Sequence, residues 1–146
     1  MTTNAELYEQ DFFEWTQTTA ALIRAGKWQA IDRESVAEEI ESLGRRDRRE
    51  LGSRLQVLMT HLLTWRYQPS ERSGRWRGTI DDQRTEILDL LDDSPSLRRQ
   101  VPGILAQRYP RARAKASGET GLQVETFPPT CPWTAEQVLA ADFWPE

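Results

Sequence analysis

The sequence predicts an all-α protein, an up-and-down helical bundle with one long central helix and an irregular C-terminal segment that ends in a short helix. Large apolar residues recur every three or four positions over most of the chain, which is the helical period. Strand-like alternation is missing, and glycines and prolines fall between the periodic segments. Since 146 residues can bury one substantial core, we expect residues 1–146 to form a single helical domain.

The first predicted helix covers residues 8–25, where tyrosine, phenylalanine, tryptophan, leucine and isoleucine follow one another at spacings of three, four and seven. Gly26 is expected to end it. The second helix has two candidate caps, Asp32 and Ser35, of which the latter forms the capping pattern Ser35-x-x-Glu38. The sequence leaves the choice between them open by one turn.

The second helix is expected to be about 35 residues long, or roughly 50 Å. Its middle is the charged stretch SLGRRDRRELG, residues 42–52, which at first sight also resembles a linker or a nucleic-acid arm. The apolar spacing passes through this stretch without a change of phase, with Asp47 at the one position where an apolar residue is missing. If Gly44 or Gly52 were a hinge between two independent helices, the apolar positions before and after it would not need to keep the same helical phase. Because they do keep it, the sequence favours one continuous helix. The stripe consists of Val36, Ile40, Leu43, Leu51, Leu55, Leu58, Leu62 and Trp65.

Two further helices are expected after Pro69. One begins near Arg75, and the other follows the start signal Ser94 and Pro95. Pro110 is expected to kink or restart the latter helix, which should end by residue 117.

The C-terminal segment, residues 122–146, is expected to be a clasp or a tail. Its prolines favour an extended course, and the pattern Thr134-x-x-Gln137 caps a short helix expected to end at residues 142–144. Its large apolar residues are too few to form their own core, so we expect them to cover a groove between the first two helices; a tail that docks on a partner is the alternative. The groove residues expected are Phe12, Trp15, Leu62 and Trp65, and the covering residues are Phe127, Trp133, Leu139, Phe143 and Trp144.

Charge and cysteine content restrict the classes of function. The net charge of −4 gives no general attraction to nucleic acid. Cys131 is the only cysteine and has no basic neighbour in sequence, so we expect an inert thiol. No signal segment and no apolar run long enough to span a bilayer is present, which predicts a soluble cytoplasmic protein without membrane association.

Asp47, Arg54 and His61 follow one another at intervals of seven and form a candidate polar rail along one edge of the apolar stripe. His61 is a candidate base or metal ligand if it meets a carboxylate of another helix. A role in packing is the simpler interpretation, because a single histidine falls short of the ligand set of bundle metal sites. We therefore predict no cofactor and no metal. The carboxylates considered as partners are Asp11, Glu14, Asp82 and Glu86.

Clustered arginines form a candidate basic patch, in which Trp76 is available to stack on a base. A second basic cluster, residues 108–115, adds to it only if the bundle brings the two together. Solvated helix faces paired with acidic residues are the simpler interpretation. The arginines of the patch are Arg45, Arg46, Arg48 and Arg49.

The chain resembles the bacterial family called Domain of Unknown Function 29 over about residues 8–145. Six segments carry the resemblance: YEQDFFEWTQTTAALIRAG, AEEIESLG, HLLTWRYQP, SGRWRGTIDDQRTEILDLLDDSPSL, ETGL and DFWP. It implies a small helical bacterial protein and no particular activity, cofactor or catalytic residue. One departure from the family is Pro102 with Gly103, which bears on the start of the fourth helix.

The sequence suggests three possible functions, which we rank from the most to the least favoured. The first is a non-enzymatic protein-interaction module whose partner is another protein or a second copy of the chain. The second is nucleic-acid binding through the clustered arginines, and the third is a metal- or His61-dependent enzyme. The ranking reflects missing signatures, since the sequence contains no glycine-rich phosphate loop, nucleophile elbow or paired-cysteine zinc motif.

Overall fold

A computed structural model describes residues 2–146, and over these residues the chain contains helices and no strand. This confirms the predicted all-α class. The chain divides into two compact units, Met1–Arg46 and Asp47–Glu146, and the long third helix contributes residues to each. The helices are α1 (Asn4–Gln10), α2 (Phe12–Arg24), α3 (Arg33–Tyr67), α4 (Gly74–Asp93), α5 (Val101–Thr120) and α6 (Ala135–Leu139).

The prediction of one helix over residues 8–25 is wrong, because the chain breaks between α1 and α2. Asp11 adopts φ −150° and ψ 89° there, and its side chain caps α2 by accepting a hydrogen bond from the amide of Glu14 at 3.0 Å. The apolar spacing is continuous across this break, so periodicity alone does not reveal it. Gly26, with φ +70°, ends α2 as expected in a left-handed conformation that favours glycine.

Asn4 holds the first unit together through its amide group. Its Nδ2 donates to Oγ1 of Thr19 at 2.9 Å, and its Oδ1 accepts from Nε1 of Trp15 at 3.2 Å and from the amide of Asp32 at 2.9 Å. These bonds join α1, α2 and the residue that precedes α3. Trp15 is buried, and its ring contacts Tyr8 with centroids 4.8 Å apart.

The long helix has the predicted length, 35 residues, and is helical through both of its glycines. The helix begins at Arg33, so Asp32, the earlier of the two candidate caps, stands at the cap position; its carboxylate accepts a hydrogen bond from the hydroxyl of Ser35. The apolar stripe is buried in one part and exposed in another. Its residues from Leu51 onward are fully buried up to Leu62, whereas Ile40 and Leu43 are exposed.

The second unit is built from the later half of α3, packed with α4 and α5. Pro110 lies inside α5, so the helix does not restart there, and it continues to Thr120 before Gly121 ends it with φ +76°. Proline removes only the hydrogen bond to the carbonyl of Ala106, an exposed residue. Pro102 occupies the first turn of α5, a position that tolerates proline.

Residues 122–146 pack on this same unit. The ring of Phe127 is buried against Tyr67, with centroids 5.2 Å apart, and Trp144 lies 4.8 Å from Trp65. The predicted capping box of Thr134 is present, but α6 ends at Leu139, earlier than expected. Of the expected groove residues, Leu62 and Trp65 belong to this unit, while Phe12 and Trp15 belong to the first unit and contact Tyr8.

Candidate functional site

An open apolar groove of about 330 Å³ lies in the first unit. It is formed by the end of α2, the turn that follows Gly26 and the first two turns of α3. The turn places an indole and an isoleucine beside the helix, so side chains from three consecutive segments converge. The lining residues are Ile23, Trp28, Ile31, Arg33, Val36, Ala37 and Ile40.

Large side chains at this groove are exposed to an unusual degree. Trp28 is 62% exposed and Ile40 is 64% exposed, and Leu43, one turn further along α3, is 58% exposed. Large exposed apolar patches on soluble proteins mark interaction sites or ligand-binding grooves. The sequence placed Ile40 and Leu43 on the apolar stripe of the long helix. The apolar period alone does not show which residues of that stripe are buried by other parts of the chain.

The electrostatic environment of this groove is acidic. Residues 1–46 contain nine acidic and five basic residues, so they carry a net charge of −4, whereas the remaining residues contain fourteen of each. Glu34 and Glu41 lie three positions before and four positions after Ala37, and are therefore its neighbours on the helix surface. Arg33 is the one charged residue that lines the groove itself.

The three residues of the candidate polar rail have separate environments. Asp47 is exposed, and Arg54 forms ion pairs with Glu50 at 3.1 Å and with Glu86 at 3.7 Å. Nδ1 of His61 lies 3.0 Å from the carbonyl oxygen of Val57 on its own helix and donates to it, which leaves Nε2 as the acceptor in the neutral ring. Thus Glu86, considered as a partner of His61, pairs with Arg54.

The part of the chain that the structure describes contains no group of three or more histidine, cysteine, aspartate or glutamate side chains with a metal-binding arrangement.

The candidate basic patch is divided by the structure. Arg45 pairs with Glu38 at 3.4 Å and with Glu41 at 3.8 Å. Arg48 reaches α5, where its Nε donates to Oε1 of Gln100 at 2.6 Å. Arg46 is exposed on α3.

Trp76 does not lie with these arginines. Its neighbour Arg77 lies over the ring of Trp65, 6.0 Å from the centroid. Trp65 follows Arg49 by 16 residues on α3, a distance of about 24 Å along the helix. Within the second unit, the structure therefore separates Trp76 from Arg48 and Arg49, and sequence alone carried no signal for this.

Cys131 borders a second cavity of about 530 Å³, in the second unit. Its Sγ lies 3.9 Å from Sδ of Met59 and 3.5 Å from the carbonyl oxygen of Trp133. Burial is the largest influence on this thiol and raises its pKa. Because the thiolate is the reactive form, the surroundings suit a packed thiol better than a nucleophile.

No helix among residues 2–146 combines the length and the apolar character needed to cross a bilayer.

A family model with the description "Domain of unknown function DUF29" covers residues 7–144, nearly the whole chain. No curated protein and no solved structure matches.

Proposed function

Since the chain belongs to the family of domain of unknown function DUF29, whose description assigns no activity, we propose a function from the site itself: a protein-interaction module that docks a basic amphipathic helix of a partner protein in the apolar groove of the first unit. The observation that carries the proposal is the exposure of Trp28 and Ile40 in that groove. No chemistry is required of the module, because binding alone uses the apolar side chains and their charged surroundings.

The spacing of the apolar residues along α3 suits a helix as the occupant. Val36, Ile40 and Leu43 follow one another at intervals of four and three along α3, and span about 10 Å. An amphipathic helix presents its anchors in rows with the same spacing, and such rows pack into grooves lined by apolar side chains. Trp28 adds a large aromatic surface of the kind that dominates binding energy at interfaces.

Charge favours a basic partner. With a net charge of −4 on residues 1–46, lysines and arginines beside the anchors of the partner would meet the acidic side chains that flank the groove, such as Glu34 and Glu41. The same charge disfavours a second copy of the chain, because a symmetric contact would bring two acidic surfaces together. It equally disfavours the phosphates of nucleic acid at this surface.

A pair of synthetic peptides tests the proposal. Both form an amphipathic helix with the same leucine face, and one carries lysines and the other glutamates beside that face. Amide chemical shifts of the labelled protein are recorded during titration at low ionic strength. We expect the lysine peptide to bind and to shift residues of the groove, and the glutamate peptide to bind at least about tenfold more weakly.

Matched variants complete this experiment. Trp28→Ala should abolish most of the binding, whereas Phe13→Ala, which removes another exposed aromatic ring outside the groove, should leave it unchanged. Binding of neither peptide, or equal binding of both, would contradict the proposal. A concentration-dependent dimer that loses its stability with Trp28→Ala would assign the groove to self-association and thereby also contradict it.

A further inference from the structure

The guanidinium group of Arg108 lies against the backbone of α3 at Gly52. A β-carbon at residue 52 would lie 2.9 Å from both Nε and Nη2 of Arg108 and 3.1 Å from its Cζ, closer than side chains tolerate. Glycine at this position therefore makes room for the arginine. Both residues belong to the second unit, as do all the residues that follow in this subsection.

Neutral amides, not carboxylates, hold the arginines around Gly52. Nη1 of Arg108 donates to Oε1 of Gln56 at 3.1 Å, and Nε of Arg48 donates to Oε1 of Gln100 at 2.6 Å. Each bond fixes a side chain without neutralising its charge. Neither these two arginines nor Arg49 forms an ion pair with a carboxylate in residues 2–146, although Arg54 on the same helix forms two.

Three arginines, two on α3 and one on α5, lie next to Gly52. Arg48 and Arg49 precede Gly52 by four and three positions, so their side chains emerge next to it on the surface of α3, with β-carbons about 5–6 Å away. The guanidinium of Arg108 occupies the position where the side chain of residue 52 would be. Two arginines of α3 therefore neighbour Gly52 on the helix surface, and the guanidinium of a third, from α5, lies against it.

We propose that Arg48, Arg49 and Arg108 form a binding site for a phosphate group. Three positive charges without a carboxylate partner suit a tetrahedral anion that carries up to two negative charges and several acceptor oxygens, and the planar donors of arginine match such oxygens in pairs. Nε and Nη2 of Arg108 and both terminal nitrogens of Arg48 remain as donors for it. Arg111 follows Arg108 by one turn of α5 and adds positive charge beside the site.

The site differs from the groove of the first unit in residues and in sign of charge, so it does not depend on the proposed docking function. The phosphate has two sources: a small phosphate-bearing ligand, or the phosphodiester backbone of a nucleic acid. Trp76 lies with Arg77 at the other end of α3, so the site offers charge without an adjacent aromatic platform for bases.

The experiment titrates the labelled full-length protein with inorganic phosphate in one arm and with an oligothymidylate in the other, at low ionic strength. The readouts are the amide signal of Gly52 and the side-chain Nε–H signals of the arginines. We expect saturable shifts of Gly52, Arg48 and Arg108 that weaken when salt is added. Saturation by phosphate identifies a small-ligand site, and saturation by the oligonucleotide alone identifies a nucleic-acid site; each supports the proposal.

Gly52→Ala provides the decisive variant, because it keeps the net charge and displaces only the guanidinium of Arg108. It also favours the helical state, so its melting temperature should not fall. We expect it to lose affinity, and Arg108→Gln to lose about tenfold or more, the value of a hydrogen bond to a charged group. Arg66→Gln makes the same charge change at an exposed position about 21 Å further along α3 and should bind as the wild type does.

Two results would contradict the proposed phosphate site. One is the absence of saturable shifts with either probe. The other is equal affinity in the wild type and in both Gly52→Ala and Arg108→Gln, which would reduce the binding to general attraction between charges.

Discussion

The guanidinium of Arg84 donates from Nη2 to the carbonyl oxygen of Phe143 at 2.8 Å. Its Nε also donates to the carbonyl oxygen of Val138 at 2.9 Å, and the side chain as a whole is 2% exposed. Burial lowers the pKa of this guanidinium, against the opposing effects of Asp81 and Asp142. One buried arginine on α4 thus connects the helical core to the C-terminal segment.

Replacing Arg84 by methionine should therefore destabilise the protein by about 3 kcal/mol, since two buried carbonyl groups lose charge-assisted hydrogen bonds. Arg84→Lys should be almost as unstable as the methionine variant, because an ammonium group lacks the planar pair of donors that reaches both carbonyls. Urea unfolding measures the change, with Arg75→Met on the exposed surface of the same helix as the control. Equal stability of the two methionine variants would show that these bonds contribute nothing.

Arg84 also marks a limit of sequence-based prediction. The apolar period of α4 gives no reason to expect a charged residue in the core, whereas the structure buries Arg84 together with Ile80, Ile87 and Leu91. Its acceptors lie 54 and 59 residues further along the chain, so no local pattern indicates that an arginine belongs in this core. Nor does any local pattern indicate that Arg108 lies over Gly52.

The long helix is the opposite case, because its length depends on local signals: caps, period and the proline that follows. The sequence therefore predicted its 35 residues, including the charged middle. Which part of its stripe is covered depends instead on distant segments, so the exposure of Ile40 and Leu43 had to come from the structure. The break at Asp11 was missed because the apolar period is the same on both sides of it.

The C-terminal segment is predicted to act as a clasp that stabilises the second unit. Phe127 is 1% exposed, and Phe127→Ala should cost about 3–5 kcal/mol, as for other large core residues. Phe13→Ala, at a site that is 70% exposed, should change the unfolding free energy by less than about 0.5 kcal/mol. Similar effects of the two substitutions would argue against the clasp.

Deletion of residues 126–146 tests the same segment as a whole. It would uncover the apolar surfaces that contact Phe127, Val138 and Leu139, so we expect a lower melting temperature and binding of an apolar dye. A truncated chain that melts at the wild-type temperature and binds no dye would identify the segment as a tail.

Two glycines are predicted to respond oppositely to alanine. Gly44 lies within α3 with no atom within 4 Å of an added β-carbon, so Gly44→Ala should stabilise the protein by up to about 1 kcal/mol. Gly26 has φ +70°, and Gly26→Ala should destabilise it by about 1–2 kcal/mol because L-residues disfavour that conformation. Thermal unfolding of the two variants measures both effects. The same sign for both would contradict the described backbone.

Cys131 is predicted to react slowly in the folded protein. Burial raises the pKa of its thiol, so less thiolate is present near neutral pH than for a free cysteine, and packing restricts access of a reagent. The rate of reaction with a disulfide reagent should therefore rise when the protein is unfolded in denaturant. A folded rate above that of a free thiol would instead indicate an activated cysteine.

Stability is predicted to fall at alkaline pH through the tyrosines. The pKa of Tyr109 is raised to about 12, first by burial and also by the nearby Cys131; the pKa of Tyr8 is raised to about 12, first by its hydrogen bond to Glu39. A folded-state pKa above the unfolded value of 10.0 means that the unfolded chain loses these protons more readily. The contribution to stability is therefore complete below pH 10.0 and is lost as the pH rises to about 12.

Tyrosinate absorbance and urea midpoints measured over this range test the prediction. Tyr109→Phe removes the hydroxyl that donates to the carbonyl oxygen of Pro128 at 2.6 Å, so the variant should be less stable near neutral pH. Its stability should also fall less steeply between pH 10.0 and about 12, because the shifted proton of Tyr109 is gone. Such a result would show that the buried phenol of Tyr109 causes part of the loss of stability at alkaline pH. An unchanged dependence of stability on pH in Tyr109→Phe would exclude this cause.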